Sequence, residues 1–293
     1  ERSGLVSSAE SGPVLTVSDE FSDVVSPGGQ RFWSAVQRVL VALLLLLIAG
    51  ALWELAKLIT GTGDRTMPHI WHTLRFLGST TSQDENYTWF LVQNVWSTAK
   101  ASLVGLLVGT ALGLTTGVLI ARNRLFGDGL MPLIVAAQAV PIVAIAPALV
   151  LWLGTGGVTK MVITTYLTFF PVTVATARGI QSVPQESHDL LRTYGASKWT
   201  SLRILEIPFA APLIFVGLET AAAFSVVGAI VAELPFGSNE GLGVVILTSW
   251  QFYIVEPRAL YCVAMASCAL GAIFVLSVRL AAYFALGPRS QGE

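Results

Sequence analysis

Residues 182–208 read Ser182-Val183-Pro184-Gln185-Glu186-Ser187-His188-Asp189-Leu190-Leu191-Arg192-Thr193-Tyr194-Gly195, then Ala196-Ser197-Lys198-Trp199 and on to Leu205-Glu206-Ile207-Pro208. This polar stretch is wedged between two long apolar runs. Ser182 can accept from the amide three residues on, Gln185 can reach back, and Pro184 is tolerated in a first turn, so a capping box opens a short helix. Leu190, Leu191 and Tyr194 fall on one side of that helix, and Gly195 supplies a residue free to adopt positive φ. Ser197 can cap a second short helix carrying Trp199, Leu202 and Leu205. The pattern predicts two short amphipathic helices joined at a glycine and held between membrane spans.

The flanking composition requires a bilayer. Of 293 residues, 12% are charged and 54% hydrophobic, and the mean hydropathy is +0.69, values foreign to a soluble domain. Apolar runs long enough to cross a bilayer, at ~20 residues each, lie at 36–58, 91–120, 128–153, 160–178, 208–232 and 258–285. The expected fold class is an all-α membrane protein with six spans. Pro132, Pro141, Pro147 and Pro171 introduce bends in the third and fourth. Residues 1–35 read as a cytoplasmic tail without helical periodicity. Residues 36–90 read as a first span plus an outer connector, with a short surface helix around 70–77. Residues 91–285 form the membrane core around the hairpin at 182–208, and 286–293 a C-terminal tail. The first apolar run is too long for the core of a signal peptide, so it reads as a retained span. With the N-terminus inside, ten basic residues (Arg2, Arg31, Arg38, Arg122, Arg124, Arg178, Arg192, Lys198, Arg203, Arg289) face the cytoplasm and four (Arg65, Arg75, Lys160, Arg258) face outward. The excess favours that orientation and puts the hairpin in the cytoplasm.

The spacing of Asp189-Leu-Leu, Gly195 and Leu205-Glu-Ile-Pro208 resembles the EAA loop of binding-protein-dependent ABC importer permeases, in which EAA, three residues, Gly, nine residues and I-x-L-P follow one another. Asp-Leu-Leu stands where the consensus has Glu-Ala-Ala. The likeness extends over residues 90–285 and is best matched over 138–243. It implies a type I importer permease fold of the bacterial cytoplasmic (inner) membrane. It also implies that Glu186, His188, Asp189, Leu190, Leu191, Arg192, Tyr194, Gly195, Ala196, Ser197, Lys198 and Pro208 form the coupling element that docks on a cytoplasmic ATPase. The implied partners are an ATPase dimer, a second permease copy, identical or homologous, and an extracytoplasmic solute-binding protein. No nucleic acid is implied.

The nearest approach to a phosphate loop is Gly154-Thr-Gly-Gly-Val-Thr-Lys160-Met161. There Thr159 replaces the glycine before the lysine and Met161 the metal-binding hydroxyl. The chain is therefore expected to bind no cofactor and to carry no ATPase site of its own, leaving ATP and Mg on the partner. With Pro147-Ala-Leu-Val-Leu-Trp152-Leu-Gly154, this segment resembles the permease branch that includes sulfonate, nitrate and pyrimidine importers. An intramembrane serine protease is excluded because His69, His72 and His188 all fall outside the spans, leaving no base at depth. A carboxylate-coupled carrier is suggested by Glu219 and Glu233, but such a carrier has no use for the hairpin and usually shows an inverted repeat.

Gly105, Gly109, Gly113 and Gly117 recur every four residues and make a smooth helix stripe for a close neighbour, in this subunit or another. Cys262 and Cys268 read as small apolar residues with no disulfide. His69 and His72 with Asp64 lack a third well-placed partner and read as surface groups, so no metal is assigned. Residues 234–243 read as a re-entrant turn at the outer mouth, with a short helix after it. Glu233 is expected to accept from backbone amides of the 237–243 segment, or to cap that short helix. Gln138, Pro141, Trp152, Tyr166, Phe169, Glu219 and Glu233 are the candidate path or gate residues. In these spans Lys100 and Arg279 are the cations at depth, and the two glutamates are expected to repel anions. A neutral heterocycle stacked on Trp152, Tyr166 and Phe169, with Gln138 as donor and acceptor, is the preferred solute. By resemblance it is a thiamine-precursor pyrimidine or riboflavin; the alternative is a sulfonate, taurine or nitrate.

Overall fold

The computed structural model describes residues 27–81, 84–234 and 240–287, so the tail residues 1–26 and 288–293 and positions 235–239 of the expected re-entrant turn lie outside the described residues. The chain divides into two compact units, Glu1–Thr62 and Gly63–Glu293. The first holds α1 (Pro27–Thr60), which contains the expected first span and closes with the Thr60 hydroxyl donating to the Ala56 carbonyl, 2.7 Å.

The second unit runs α2 (Ile70–Phe76), α3 (Tyr87–Arg122), α4 (Arg124–Gln138), α5 (Ile142–Leu153), α6 (Gly157–Gln181), α7 (Gln185–Thr193), α8 (Lys198–Ser201), a π-helical turn (Leu202–Glu206), α9 (Ile207–Glu233), α10 (Leu242–Gln251) and α11 (Pro257–Leu286). Asn86 starts α3 by accepting from the Thr88 amide, 2.9 Å. Among the described residues, α3, α6, the stretch from α8 through α9, and α11 are long and apolar enough to cross a membrane. The expected third span, 128–153, is not one helix. It is α4 and α5, which meet at a 94° break, because Pro141 can neither donate an amide nor let Val140 before it stay helical. Pro132, Pro147 and Pro171 lie inside α4, α5 and α6 without ending them. In place of six uniform spans, the described residues supply four continuous ones and a fifth if the bent pair crosses as one; the remaining expected run lies within α1.

The core is built around α6. The glycine stripe of α3 faces it: a Cβ at Gly105, Gly109, Gly113 or Gly117 would press into Thr164, Thr168, Val172 or Thr176 respectively. Each partner is fully or almost fully buried. Both series advance by four, so two helices running side by side mesh turn for turn, and the neighbour of the stripe belongs to the same chain. On the other flank of α6, Gly179 sits against Ala210, Gly217 against Ala175 and the Pro171 carbonyl, and Gly228 against Thr164, which brings α9 equally close. The polar threonines tolerate burial because their hydroxyls return to the carbonyl one turn back, as in Thr164 to Lys160, 2.7 Å, and Thr176 to Val172, 2.7 Å. Thr168 also donates across to the Gly105 carbonyl, 3.1 Å. Close backbone approach of this kind yields dispersion contacts that lipid cannot replace.

A valine at Gly113 would start with its Cβ 2.8 Å from the Val172 Cβ and 3.0 Å from the Phe169 carbonyl oxygen. Gly113→Val should therefore destabilise the purified protein by ~1–3 kcal/mol through overpacking, read as a lowered melting temperature in detergent. Gly271→Val, at an α11 position with nothing within 4 Å, should leave the melting temperature near that of the parent.

Candidate functional site

The predicted hairpin forms, with two corrections at its ends. There is no capping box. Ser182 closes α6, donating its hydroxyl to the Gly179 carbonyl at 2.8 Å, while Gln185 turns to Asp189, 3.2 Å, and α7 starts after Pro184 without a side-chain cap. The reason lies in the preceding helix: with Ile180 and Val183 buried, Ser182 keeps a helical backbone as the C-cap of α6, whereas an N-cap needs an extended one, and Pro184 stands at that position instead. Nor is the second helix separate. Ser197 accepts from the Thr200 amide at 3.1 Å, as expected of a cap, but α8 then passes through the π turn into α9 without a break.

The joint between the limbs is as expected. Gly195 has φ +70°; its amide donates to the Arg192 carbonyl, 2.9 Å, and that of Ala196 to Leu191, 3.0 Å, the pair of bonds that ends a helix in a left-handed residue. Leu190, Leu191 and Tyr194 do not share one face. Leu190 and Tyr194, one turn apart, are 59% and 80% exposed and are joined in exposure by Trp199 at 70%. Leu191 turns inward with His188 to line a cavity of about 430 Å³ together with Arg122, Arg192, Ser201 and Glu206. Within it Glu206 is buried, its Oε1 accepting from the Ser201 hydroxyl, 3.0 Å. His188 Nδ1 stands 3.4 Å from the same hydroxyl. Acid and imidazole thus meet at one oxygen rather than forming the acid–imidazole–hydroxyl chain of a hydrolase. Arg122, from the end of α3, lies 3.8 Å from Glu206 Oε2 and donates to the Lys198 carbonyl, 2.8 Å. Asp189 remains on the exposed side, 3.4 Å from Arg192.

At the opposite end of the bundle Glu233 closes α9 and is 1% exposed. It takes the Thr98 hydroxyl at 2.9 Å, the Lys160 ammonium at 3.1 Å and the Gly243 amide at 3.0 Å. The Leu242 amide donates to Thr98 Oγ1, 2.8 Å, and the Gly241 amide to Asn94 Oδ1, 2.8 Å. Three successive amides at the start of α10 are therefore held by side chains of α3 and α9, with the charge placed where a helix N-terminus favours it. Gly241 has φ +121°, and a Cβ there would run into the Glu233 carboxyl. Lys160 reaches on to the Glu240 carbonyl, 3.1 Å. An open cavity of about 770 Å³ beside this cluster is lined by Ser97, Lys100, Val104, Gly156, Lys160 and Met161, among others.

The other path residues are spread over the fold. Tyr166 and Phe169 pack edge-on around Phe170 on the α4 side of α6, and the Tyr166 hydroxyl donates to the Ala137 carbonyl, 2.6 Å. Trp152 is 79% exposed at the end of α5, and Gln138 and Pro141 flank the α4–α5 bend, both exposed. Glu219 faces α11 and pairs with Arg279, 2.8 Å. The expected repulsion of anions by Glu219 and Glu233 is thereby corrected, since each carboxylate is matched by a cation. Just before α2, Asp64 lies 3.3 Å from His72 and 3.8 Å from His69. Among the described residues no three such side chains are arranged to hold a metal ion. Cys262 is buried against the Thr73 carbonyl, and Cys268 is exposed. Arg122, Ser201, Asn94 and Thr98 belong to no motif in the sequence, where Asn94 and Thr98 show only as polar residues on the apolar α3.

Residues 109–290 match the family described as binding-protein-dependent transport system inner membrane component. The chain belongs to this family. The match takes in the hairpin and, of the Glu233 cluster, Lys160, Glu233 and Gly241–Gly243, while Asn94 and Thr98 precede it. Among similar proteins, the formylaminopyrimidine transport permease protein ThiX of Halalkalibacterium halodurans is 38% identical over 48% of this chain and 56% of its own length. The riboflavin transport system permease protein RibX of Chloroflexus aurantiacus is 34% identical over 53% of this chain and 58% of its own. The chain thus spans less than two thirds of either relative. A solved structure of the MetNI methionine ABC transporter in inward-facing conformations aligns with TM-score 0.57 at 18% identity, over 67% of this chain and 96% of that one. It has the same fold.

Glu233→Ala would leave Lys160, whose side chain is 12% exposed, buried without its carboxylate, a loss of ~3–5 kcal/mol. It should also release the start of α10. Hydrogen exchange of the 241–246 amides should accelerate while that of the α3 and α6 amides around Gly113 is unchanged. Equal protection of 241–246 in the variant would show that Glu233 does not hold this turn.

Proposed function

We propose that this chain is the membrane-spanning permease subunit of an ATP-driven ABC importer, with its N-terminus and the α7–Gly195–α8 hairpin on the cytoplasmic side. The observation that carries the reading is the hairpin: a glycine-jointed pair of helix ends that presents Leu190, Tyr194 and Trp199 outward and continues without a break into α9. A partner ATPase seated on that apolar face would push directly on a transmembrane helix. ATP and Mg bind that partner, and this chain holds neither. A second permease copy completes the path, and a binding protein delivers solute at the end where Glu233 and α10 lie. Closure of the ATPases would then tip the bundle as a rigid body between two openings.

The solute proposed is a pyrimidine thiamine precursor or a flavin, supported by the solutes for which the two relatives are named. A second reading, a sulfonate or related anion, is favoured by Lys100 in the outer cavity and by the neutralised glutamates. Titrating the co-purified binding protein with riboflavin, formylaminopyrimidine and taurine by calorimetry separates the two: tight binding of taurine alone selects the second.

Gly195→Val tests the coupling role. A Cβ at Gly195 has nothing within 4 Å, so the substitution acts only through backbone strain, ~1–3 kcal/mol, and should misplace the docking helix. The variant should reach the membrane in normal amount but lose most ATP-driven uptake of whichever solute the titration selects. Full uptake with normal solute-stimulated ATP hydrolysis would refute the assignment of the hairpin.

A further inference from the structure

The cytoplasmic end of α3 holds both the beginning and the end of the α8–π segment. Arg122 Nη2 donates to the Lys198 carbonyl at 2.8 Å, and its Nε faces Glu206 Oε2 at 3.8 Å. Glu206 is 4% exposed, and among the described residues its Oε2 accepts no hydrogen bond, so the guanidinium is the charge that balances it across the cavity wall. The Ser201 hydroxyl, at the end of α8, donates to the other oxygen of Glu206, and His188 brings α7 against the same hydroxyl. The π turn Leu202–Glu206 is the element that aims this carboxylate. One additional residue in a turn rotates the downstream helix by about 100° relative to an uninterrupted α-helix, and such bulges concentrate at functional positions. A guanidinium offers five donors in a planar fork and can hold a carbonyl and a carboxylate at once, which an ammonium on a flexible stem does less well.

We propose that Arg122 and Glu206 are positioning residues that clamp the hairpin to α3 and α9. Resting on the coupling role proposed for the hairpin, the clamp makes its second limb, the end of α3 and the start of α9 one body. A push on Trp199 then moves two transmembrane helices, and His188 against Ser201 carries a push on Leu190 and Tyr194 to the same body across the left-handed joint of Gly195.

The test uses the full chain assembled with its ATPase partner in lipid nanodiscs, with Cys262 and Cys268 replaced by alanine. Spin labels at Thr193→Cys in α7 and Leu119→Cys in α3, both exposed positions, report the hairpin–α3 distance by pulsed electron resonance, with and without ATP–vanadate trapping. In the parent the distance distribution should be narrow and equally wide in both states. Arg122→Ala should widen it at least twofold on trapping, with the ATPase still co-purifying in parental amount; Arg122→Lys should give an intermediate width. Glu206→Gln preserves shape and the Ser201 contact while removing the charge, and should widen the distribution in the same direction even where Arg122→Ala fails to accumulate. An unchanged width in Glu206→Gln overturns the clamp and leaves the docking role standing. Failure of the parent hairpin to retain the ATPase overturns the docking role, and the clamp with it.

Discussion

The constraint on which the rest of this structure depends is the closeness of α6 to both of its neighbours. Helices in lipid gain nothing from the hydrophobic effect by touching one another, so they must gain from contact alone. Here Gly105, Gly109, Gly113 and Gly117 on one side, and Gly179, Gly217 and Gly228 within the other contact, remove the side chains that would keep backbones apart. Knobs such as Thr164 and Val172 fill the space. A slide of α6 past α3 by one residue would force every knob out of its pocket together, so the three helices respond to load as a block.

Two buried acids then fasten this block at its ends. Glu206 precedes α9 and Glu233 ends it, about 40 Å apart along the helix at 1.5 Å per residue. Each meets α3, through Arg122 at one end and Thr98 at the other. Both carboxylates have a basic partner, which is the condition under which charge is tolerated in a protein interior. The hairpin at one end and α10 at the other are thereby attached to the same rod. The coupling proposed for the hairpin would need that arrangement.

Local signals in the sequence located the parts whose geometry is local. The positive φ of Gly195, the Ser197 cap and the four-residue glycine period all arise from interactions within a few residues or from a pattern repeated along one helix. The capping box at Ser182 failed because a longer-range term, burial of Ile180 and Val183, makes Ser182 the closing residue of α6 instead of the first of α7. The assignment of Leu191 to the face of Leu190 and Tyr194 failed because an amphipathic helix with few apolar residues has two plausible inner faces, and the docking of His188 on Ser201 chose between them. Arg122 and Glu206 are 84 positions apart in number and meet only through the α3–α6–α9 packing, so no spacing rule finds them; the π turn that aims Glu206 leaves no mark in composition. Of the aromatic residues named for stacking, Tyr166 and Phe169 stay together around Phe170 on α6, while Trp152 stands exposed at the end of α5.

The threonines of α6 carry a consequence for how the chain is made. α6 is the least apolar of the four long helices, yet Thr164, Thr168, Thr173 and Thr176 each return their hydroxyl to a carbonyl of the same helix. Those groups bring their hydrogen bonds with them and owe nothing to a partner. During biosynthesis α6 can therefore leave the translocon sideways into lipid before the ribosome has produced α9, and the tight embrace of the finished bundle can be completed afterwards.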